Sequence, residues 1–275
     1  MRDVTVNDFF CGGGGMGLGF KNAGFEIAGA WDWLDNQVEH YRKNVGDHVK
    51  KMDISIMKWD DVPAADVWTY GFPCQDLSRA GNMDGLLKGK KSTLFFEVMR
   101  LLDETIEHNP EALPDVIMAE NVEDLRKYLP ILEDEYGKRG YKFYFKLFNS
   151  KFWHVAQNRK RFFVVGVKES IDTGSFEFPE QVEEITVTLK DILEQDVDPS
   201  LFIDLQDKKI KDLIFGVPAN FLIFKQATKK GFDLAFAGDS INIAFPTSET
   251  RRGRRGDQIA QTLLTGREQV VVLDD

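Results

Sequence analysis

The chain has 275 residues, 43% of them apolar, which is room for one large domain or a large domain with a smaller appendage. No apolar run approaches the ~18 residues of a membrane span, and Met1-Arg2-Asp3-Val4 enters a strand pattern without the apolar stretch of a secretory signal. A formal net charge of -10 argues, on its sum, against nucleic acid as a partner. The only cysteines, Cys11 and Cys74, and four scattered histidines offer neither a disulfide framework nor a metal site, and suit a reducing cytoplasm.

The first predicted element is a strand over 4–10, running into Cys11-Gly12-Gly13-Gly14-Gly15-Met16-Gly17. Glycine after a strand lets backbone amides approach a ligand at a helix N-terminus, although any tight strand-to-helix turn needs glycine too. A second strand, 25–31, follows Gly24, which stands where a helix C-cap is expected. Asp32 ends it, where a carboxylate accepts hydrogen bonds from ribose hydroxyls. Trp33 offers a ring to stack on adenine, with plain core packing as the competing reading. A helix is expected over 34–44, and Asp53-Ile54 is placed to meet an adenine amino group. The strand 66–72 ends in Pro73-Cys74-Gln75, a thiol at the carboxyl edge, where open α/β sheets bind ligands. Reactivity would need an electropositive, partly exposed setting, and the following segment, 78–91, is rich in Gly and Lys.

Further along, 93–107 carries Leu94, Val98, Leu101, Leu102 and Ile106 at close to helical period. A strand over 115–119 leads to Glu120-Asn121-Val122, a carboxylate that burial could tune for proton transfer. A helix over 129–139 ends at Gly140, and a strand over 141–148 follows. Gln157-Asn158-Arg159-Lys160-Arg161 then leads into the strand 162–167, with alternation expected to put Arg159 and Arg161 on one face. Repeated β-α units predict an α/β, Rossmann-like, mostly parallel sheet with helices on both faces. After Ser170 the pattern breaks into short apolar runs. Residues 176–179 resemble a linker, and 189–194 suit one short helix. The expected division is a domain over 1–171 and a small irregular region over 172–275. The latter carries Arg251, Arg252, Arg254 and Arg255 in one stretch and Lys225, Lys229 and Lys230 in another, with acidic residues elsewhere.

In order, Asp8-Phe9-Phe10-Cys11-Gly12-Gly13-Gly14-Gly15, Gly71-Phe72-Pro73-Cys74-Gln75, Thr93-Leu94-Phe95-Phe96, Glu120-Asn121-Val122 and Gln157-Asn158-Arg159-Lys160-Arg161 resemble the motifs of the DNA (cytosine-5) methyltransferase family. The resemblance covers roughly the first 170 residues. It implies S-adenosylmethionine as methyl donor, without a metal, held by Phe10, Gly12, Gly14, Asp32, Trp33, Asp53, Ile54, Pro73 and Leu94. It implies Cys74 as nucleophile toward cytosine C6, Glu120 at N3 and the exocyclic amine, Arg161 at O2, and Arg159 orienting the loop or the thiol. The target base must be flipped from duplex DNA, with Gln75 and Ser78 near it and the 79–91 loop closing over it. The smaller region would then read bases. Arg251, Arg252, Arg254 and Arg255 suit phosphate or guanine edges, and Gly253 and Gly256 allow close approach; a solvated basic loop is the competing reading.

The family's closing motifs are not recognisable after Thr262-Leu263-Leu264-Thr265-Gly266-Arg267-Glu268. A truncated chain, a compact variant, or a split enzyme whose second polypeptide supplies the end would each account for this. A tRNA cytosine-5 methyltransferase and an inactive DNA-binding relic are the alternative functions. A nicotinamide dehydrogenase would leave Pro-Cys-Gln and Glu-Asn-Val without a role. The resemblance further implies restriction-protection and a cytoplasmic, nucleoid-associated location.

Overall fold

The computed structural model describes residues 3–73, 93–182, 184–218, 220–250, 252–263, 266 and 268–273. The chain forms two compact units, one of 1–148 with 161–178, the other of 149–160 with 179–275.

The first unit is built on a seven-stranded sheet. Its strands are β1 (Thr5–Phe9), β2 (Glu26–Asp32), β3 (Val49–Lys51), β4 (Val67–Tyr70), β5 (Val116–Val122), β6 (Tyr141–Asn149) and β8 (Lys160–Lys168), in the order β3-β2-β1-β4-β5-β8-β6. The first five neighbours pair in parallel, and β8 runs antiparallel to β5. The helices are α1 (Gly15–Asn22), α2 (Asp35–Asn44), α3 (Leu94–His108) and α4 (Leu129–Gly137). Alternation divides the strand residues between two cores. Phe9, Trp31, Trp68, Tyr70, Ile117 and Ala119 pack with Phe95, Val98, Leu102, Leu132 and Tyr136 from α3 and α4. Ala30 and Val49 pack with Val38 and Tyr41 of α2 on the other face. A sheet covered on both faces explains why its strands read as near-continuous apolar runs.

Strand order reverses direction between β1 and β4, because β2 and β3 build outward one way and β4 and β5 the other. Such a switch point opens a crevice beyond the carboxyl ends of the strands. Here the glycine loop leaves β1 and the Gly71-Phe72-Pro73 segment leaves β4.

The predicted elements are present with shifted bounds, and β3 is an addition too short to show period-two alternation. β5 runs on to Val122, so Glu120 lies within the strand and not after it. β8 begins at Lys160 and a separate two-residue strand, β7 (Gln157–Asn158), precedes it. Arg159 falls in the gap between the two strands, outside the strand whose alternation was expected to set its face. The division between compact units also differs from the expected 171/172. It falls after Phe178, inside the linker-like 176–179 stretch, and residues 149–160 join the second unit. Chain order hides this, because the excursion returns to the same sheet.

The second unit is more regular than its sequence suggested. Its helices are α5 (Leu189–Ile192) and α6 (Lys208–Leu213). The strands β9 (Ile214–Gly216), β10 (Leu222–Lys225) and β11 (Phe232–Ala235) form one antiparallel sheet. In a second, β12 (Ser240–Asn242) pairs with β13 (Arg254–Gly256) and β15 (Gln269–Val271). β14 (Ala260–Gln261) pairs in parallel with β7. Ile210, Leu213, Phe224, Ala235, Ile241 and Ile243 make its core.

Candidate functional site

The carboxyl end of β1 turns sharply. Phe10 has φ +51°, Gly12 φ +54°, and Gly14, which precedes α1, φ +91°. Gly14 is required twice, by that left-handed backbone and because a Cβ there would overlap Val45. The Gly12 amide donates to Asp32 Oδ2 at 3.0 Å, and the Leu34 amide donates to Asp32 Oδ1 at 3.0 Å. Asp32 is buried, so its carboxylate tethers the glycine loop as well as standing where a ribose is expected. Trp33 is 60% exposed, which removes core packing as its explanation and leaves an open ring beside the loop.

Asp53 Oδ1 accepts from the Ser55 amide at 2.9 Å and from Ser55 Oγ at 2.8 Å, capping a 3-10 turn over Ile54–Ile56. The Ile54 side chain is buried in the core, so only its backbone is available to a ligand. The segment is fastened from α3. Arg100 Nη2 donates to the Ile54 carbonyl at 3.1 Å and the Met57 carbonyl at 2.9 Å. The same guanidinium is fixed by Glu97 at 2.8 Å and Glu104 at 2.6 Å. Sequence reading missed Arg100. The one visible signal was Glu97-x-x-Arg100-x-x-x-Glu104, a spacing that places both acids beside the arginine on one helix face. Leu94, half-buried, opens the same helix.

Across the crevice, Asn121 Nδ2 donates to the Phe72 carbonyl at 3.0 Å, with Asn121 fully buried. This bond holds the backbone just before Pro73, which is half-buried. Glu120 points to the opposite side of β5 from Asn121. Its Oε1 lies 2.9 Å from Arg161 Nε, with the side chains 23% and 17% exposed. A Cβ at Gly71 would lie 3.7 Å from Glu120 Oε2, so the carboxylate sits against the end of β4. Cys74, Gln75, Ser78 and Arg251 lie outside the described residues.

Asp8 is fully buried beneath this loop, and no aligned hydrogen bond reaches either carboxylate oxygen among the described residues. Burial pushes its pKa up to about 8, the Gly17 amide opposes the rise, and the charge of Asp32 adds to it. Burial likewise raises the Cys11 thiol, with Asp8 and Asp32 contributing, so this cysteine is an inert core residue.

Arg159 belongs to the second unit, where its amide donates to Asn149 Oδ1 at 3.1 Å and its carbonyl accepts from Ser150. The arginine stretch there is not a uniform free patch. Arg255 Nε lies 2.7 Å from the buried Asp239 Oδ2 and Nη2 lies 3.1 Å from Asp257 Oδ1. Gln258 also donates to Asp239 Oδ1, from its amide at 3.0 Å and from Nε2 at 2.9 Å. Arg254 is exposed and Arg252 half-buried. The two glycines serve the protein's own packing. A Cβ at Gly253 would overlap the Lys225 carbonyl, and one at Gly256 the Ile259 carbonyl.

Among the described residues, no helix is long and apolar enough to cross a membrane and no group of three or more His, Cys, Asp or Glu could hold a metal ion.

Residues 4–269 match the family model described as C-5 cytosine-specific DNA methylase. The chain is 33% identical over 186 residues to the Type II methyltransferase M.FnuDI of Fusobacterium nucleatum, covering 66% of this chain and 52% of that one. It is 32% identical over 197 residues to the Type II methyltransferase M.Bsp6I of Bacillus sp. (strain RFL6), covering 69% and 60%. The match thus spans between half and three fifths of these relatives. Among solved structures, the S. pombe Dnmt2 methyltransferase superposes with a TM-score of 0.56 at 23% identity, over 72% of this chain and 62% of that one, a likeness of fold.

Proposed function

The chain belongs to the C-5 cytosine-specific DNA methylase family, and from that we infer that it methylates C5 of a flipped-out cytosine in a specific duplex DNA sequence, using S-adenosylmethionine. The observation that carries this reading is the Glu120–Arg161 pair at the carboxyl end of the sheet, 2.9 Å apart and beside Gly71 of the proline-cysteine segment.

The residues fit the methyl donor. A positive-φ glycine loop gives backbone access, the Asp32 carboxylate has room for further hydrogen bonds on both oxygens, and Trp33 presents an open ring. Phe10, Gly12, Gly14, Pro73, Leu94 and the Asp53-Ile54 turn would line the same site. When bound, S-adenosylmethionine supplies an electrophilic methyl group on a sulfonium. The chain's own task is to make cytosine C5 nucleophilic. The Cys74 thiolate forms a bond to C6, and the displaced electron pair moves onto the ring toward N3 and O2. Glu120, protonated, donates to N3, and the Arg161 guanidinium meets the charge growing at O2. C5 takes the methyl group with its enamine-like pair. A base then removes the C5 proton, the electrons of that C–H bond expel the Cys74 thiolate, and N3 returns its proton to Glu120. Arg159 orients the thiol or its loop. Gln75, Ser78, Arg251, Arg252 and Arg254 are the proposed DNA contacts, while Arg255 acts through its tie to Asp239.

The test is transfer of labelled methyl from S-adenosylmethionine to duplex DNA and to tRNA, followed by bisulfite sequencing of DNA from cells expressing the chain. Methylated cytosines in one recurring duplex sequence are expected. Label in tRNA alone would replace the reading, and cofactor-dependent binding without label in either would make the chain a relic.

A further inference from the structure

Two basic stretches that lie apart in the sequence meet in the second unit. β10 and β11 form a hairpin whose closing pair is Lys225 and Phe232. Its turn is fixed by the Gln226 amide to the Gly231 carbonyl at 3.0 Å and the Gly231 amide to the Thr228 carbonyl at 2.9 Å. The arginine segment lies directly against it. The Ala227 amide donates to the Arg252 carbonyl at 3.1 Å, and Gly253, at φ +51°, packs on the Lys225 carbonyl so closely that no side chain fits.

The charges left facing solvent are basic except for Glu249. Lys225, Lys229, Lys230 and Arg254 are all exposed, and no ion pair reaches them among the described residues. Across 225–232 and 244–256 the sole acidic side chain is Glu249, in a chain whose net charge is -10. Arg255 is withdrawn from this set by Asp239 and Asp257, so its bonds hold β13 in place and leave Arg254, next in the strand, projecting the other way.

We propose that the β10–β11 hairpin and the adjoining 252–254 segment form one surface that grips the sugar-phosphate backbone of duplex DNA, with Lys225, Lys229, Lys230 and Arg254 as its phosphate contacts. This rests on the reading of duplex DNA as substrate, and deepens it by separating anchoring from base reading. A lysine ammonium is a compact, well-hydrated charge without the planar fork that matches a base edge, so three exposed lysines on a tight turn suit phosphates. Concentrating them also answers the unfavourable total charge, because phosphate attraction is local and screened within about 10 Å at 0.1 M salt.

The experiment measures fluorescence anisotropy of the full chain on two labelled duplexes of unrelated sequence, across a salt series. The variants are K225Q/K229Q/K230Q and R254Q. Each lost phosphate contact removes about 0.9 from the slope of log K against log salt, so the triple variant should flatten it by about 2–3. R254Q should remove about one contact's worth. The loss should be equal on both duplexes, with thermal melting unchanged. An unaltered slope would overturn the proposal, as would a loss confined to one duplex, since that is base reading. A parent chain that binds and methylates DNA while the triple variant matches it sinks this proposal alone. A parent chain with no salt-dependent affinity for either duplex sinks it together with the DNA reading.

Discussion

Arg161 Nε lies 2.9 Å from Glu120 Oε1, and the contact exists because β8 runs against β5. In that register Val122 faces Arg161 and Glu120 faces Phe163, so the beginning of one strand lies beside the end of the other. A parallel β8 would have carried its first residues to the opposite edge of the sheet. One reversed strand therefore brings a cation to the edge where β1 and β4 also end.

Glu120→Gln is expected to slow methyl transfer by about 10²–10⁴-fold, the usual worth of a positioned proton donor. Arg161→Ala should cost about 10²–10³-fold, as for a lost oxyanion donor. Initial rates with calorimetric cofactor titration check both. Near-normal turnover in Glu120→Gln would remove the carboxylate from the chemistry.

Cys74→Ser should abolish transfer while leaving S-adenosylmethionine affinity intact, since no cofactor contact is assigned to the sulfur. A duplex carrying 5-fluorocytosine should be trapped covalently by the parent chain, because no C5 proton is present to leave. Failure of an active preparation to form the adduct, as read by denaturing gel, would refute covalent addition.

Arg100→Ala should release the Ile54–Met57 turn by removing both carbonyl contacts. Hydrogen bonds from a charged donor are worth about 1.5–3 kcal/mol, which corresponds to roughly tenfold to a hundredfold weaker cofactor binding. The loss belongs in KM for S-adenosylmethionine, with kcat at saturation little changed. Arg100→Lys keeps the charge but not the two-carbonyl reach, and should recover only part. A fall in kcat at constant KM would show that the clamp serves something other than the cofactor segment.

Asp8 gives the fold a pH dependence of definite sign. Its carboxyl has a pKa of about 8 when folded against an ordinary 3.8, because burial disfavours the charge. Between those values the native state holds a proton that the unfolded chain has released. Stability should therefore fall as pH rises from about 4 to about 8 and level off above, by up to ~1.4 kcal/mol per pH unit. Asp8→Asn should flatten this stretch of the urea-denaturation midpoint plotted against pH. An identical profile in both proteins would mean that Asp8 is ionised in the fold.

The first unit was legible because its signals are local. Near-continuous apolar strands, glycine at the left-handed turn and a helical period over 93–107 are each set by neighbours within a few residues. Bounds were less so: β5 reaches Val122 only because β8 extends the ladder beside it, and β3 is held by pairing to β2. Trp33 shows the limit differently, since its exposure, not its type, distinguishes a stacking surface from core.

From sequence alone followed the doubly covered parallel sheet, the turn of the glycine loop and the family likeness, all properties of short windows and their order. Tertiary structure alone decided which groups meet: Arg161 with Glu120, Arg100 with the Ile54 and Met57 carbonyls, Arg255 with Asp239, and the lysine hairpin's backbone with Gly253. Those pairings depend on strand direction and register, which are fixed by packing between residues far apart in the chain. No local pattern records them, and an arginine that anchors a strand reads in sequence like one that faces solvent.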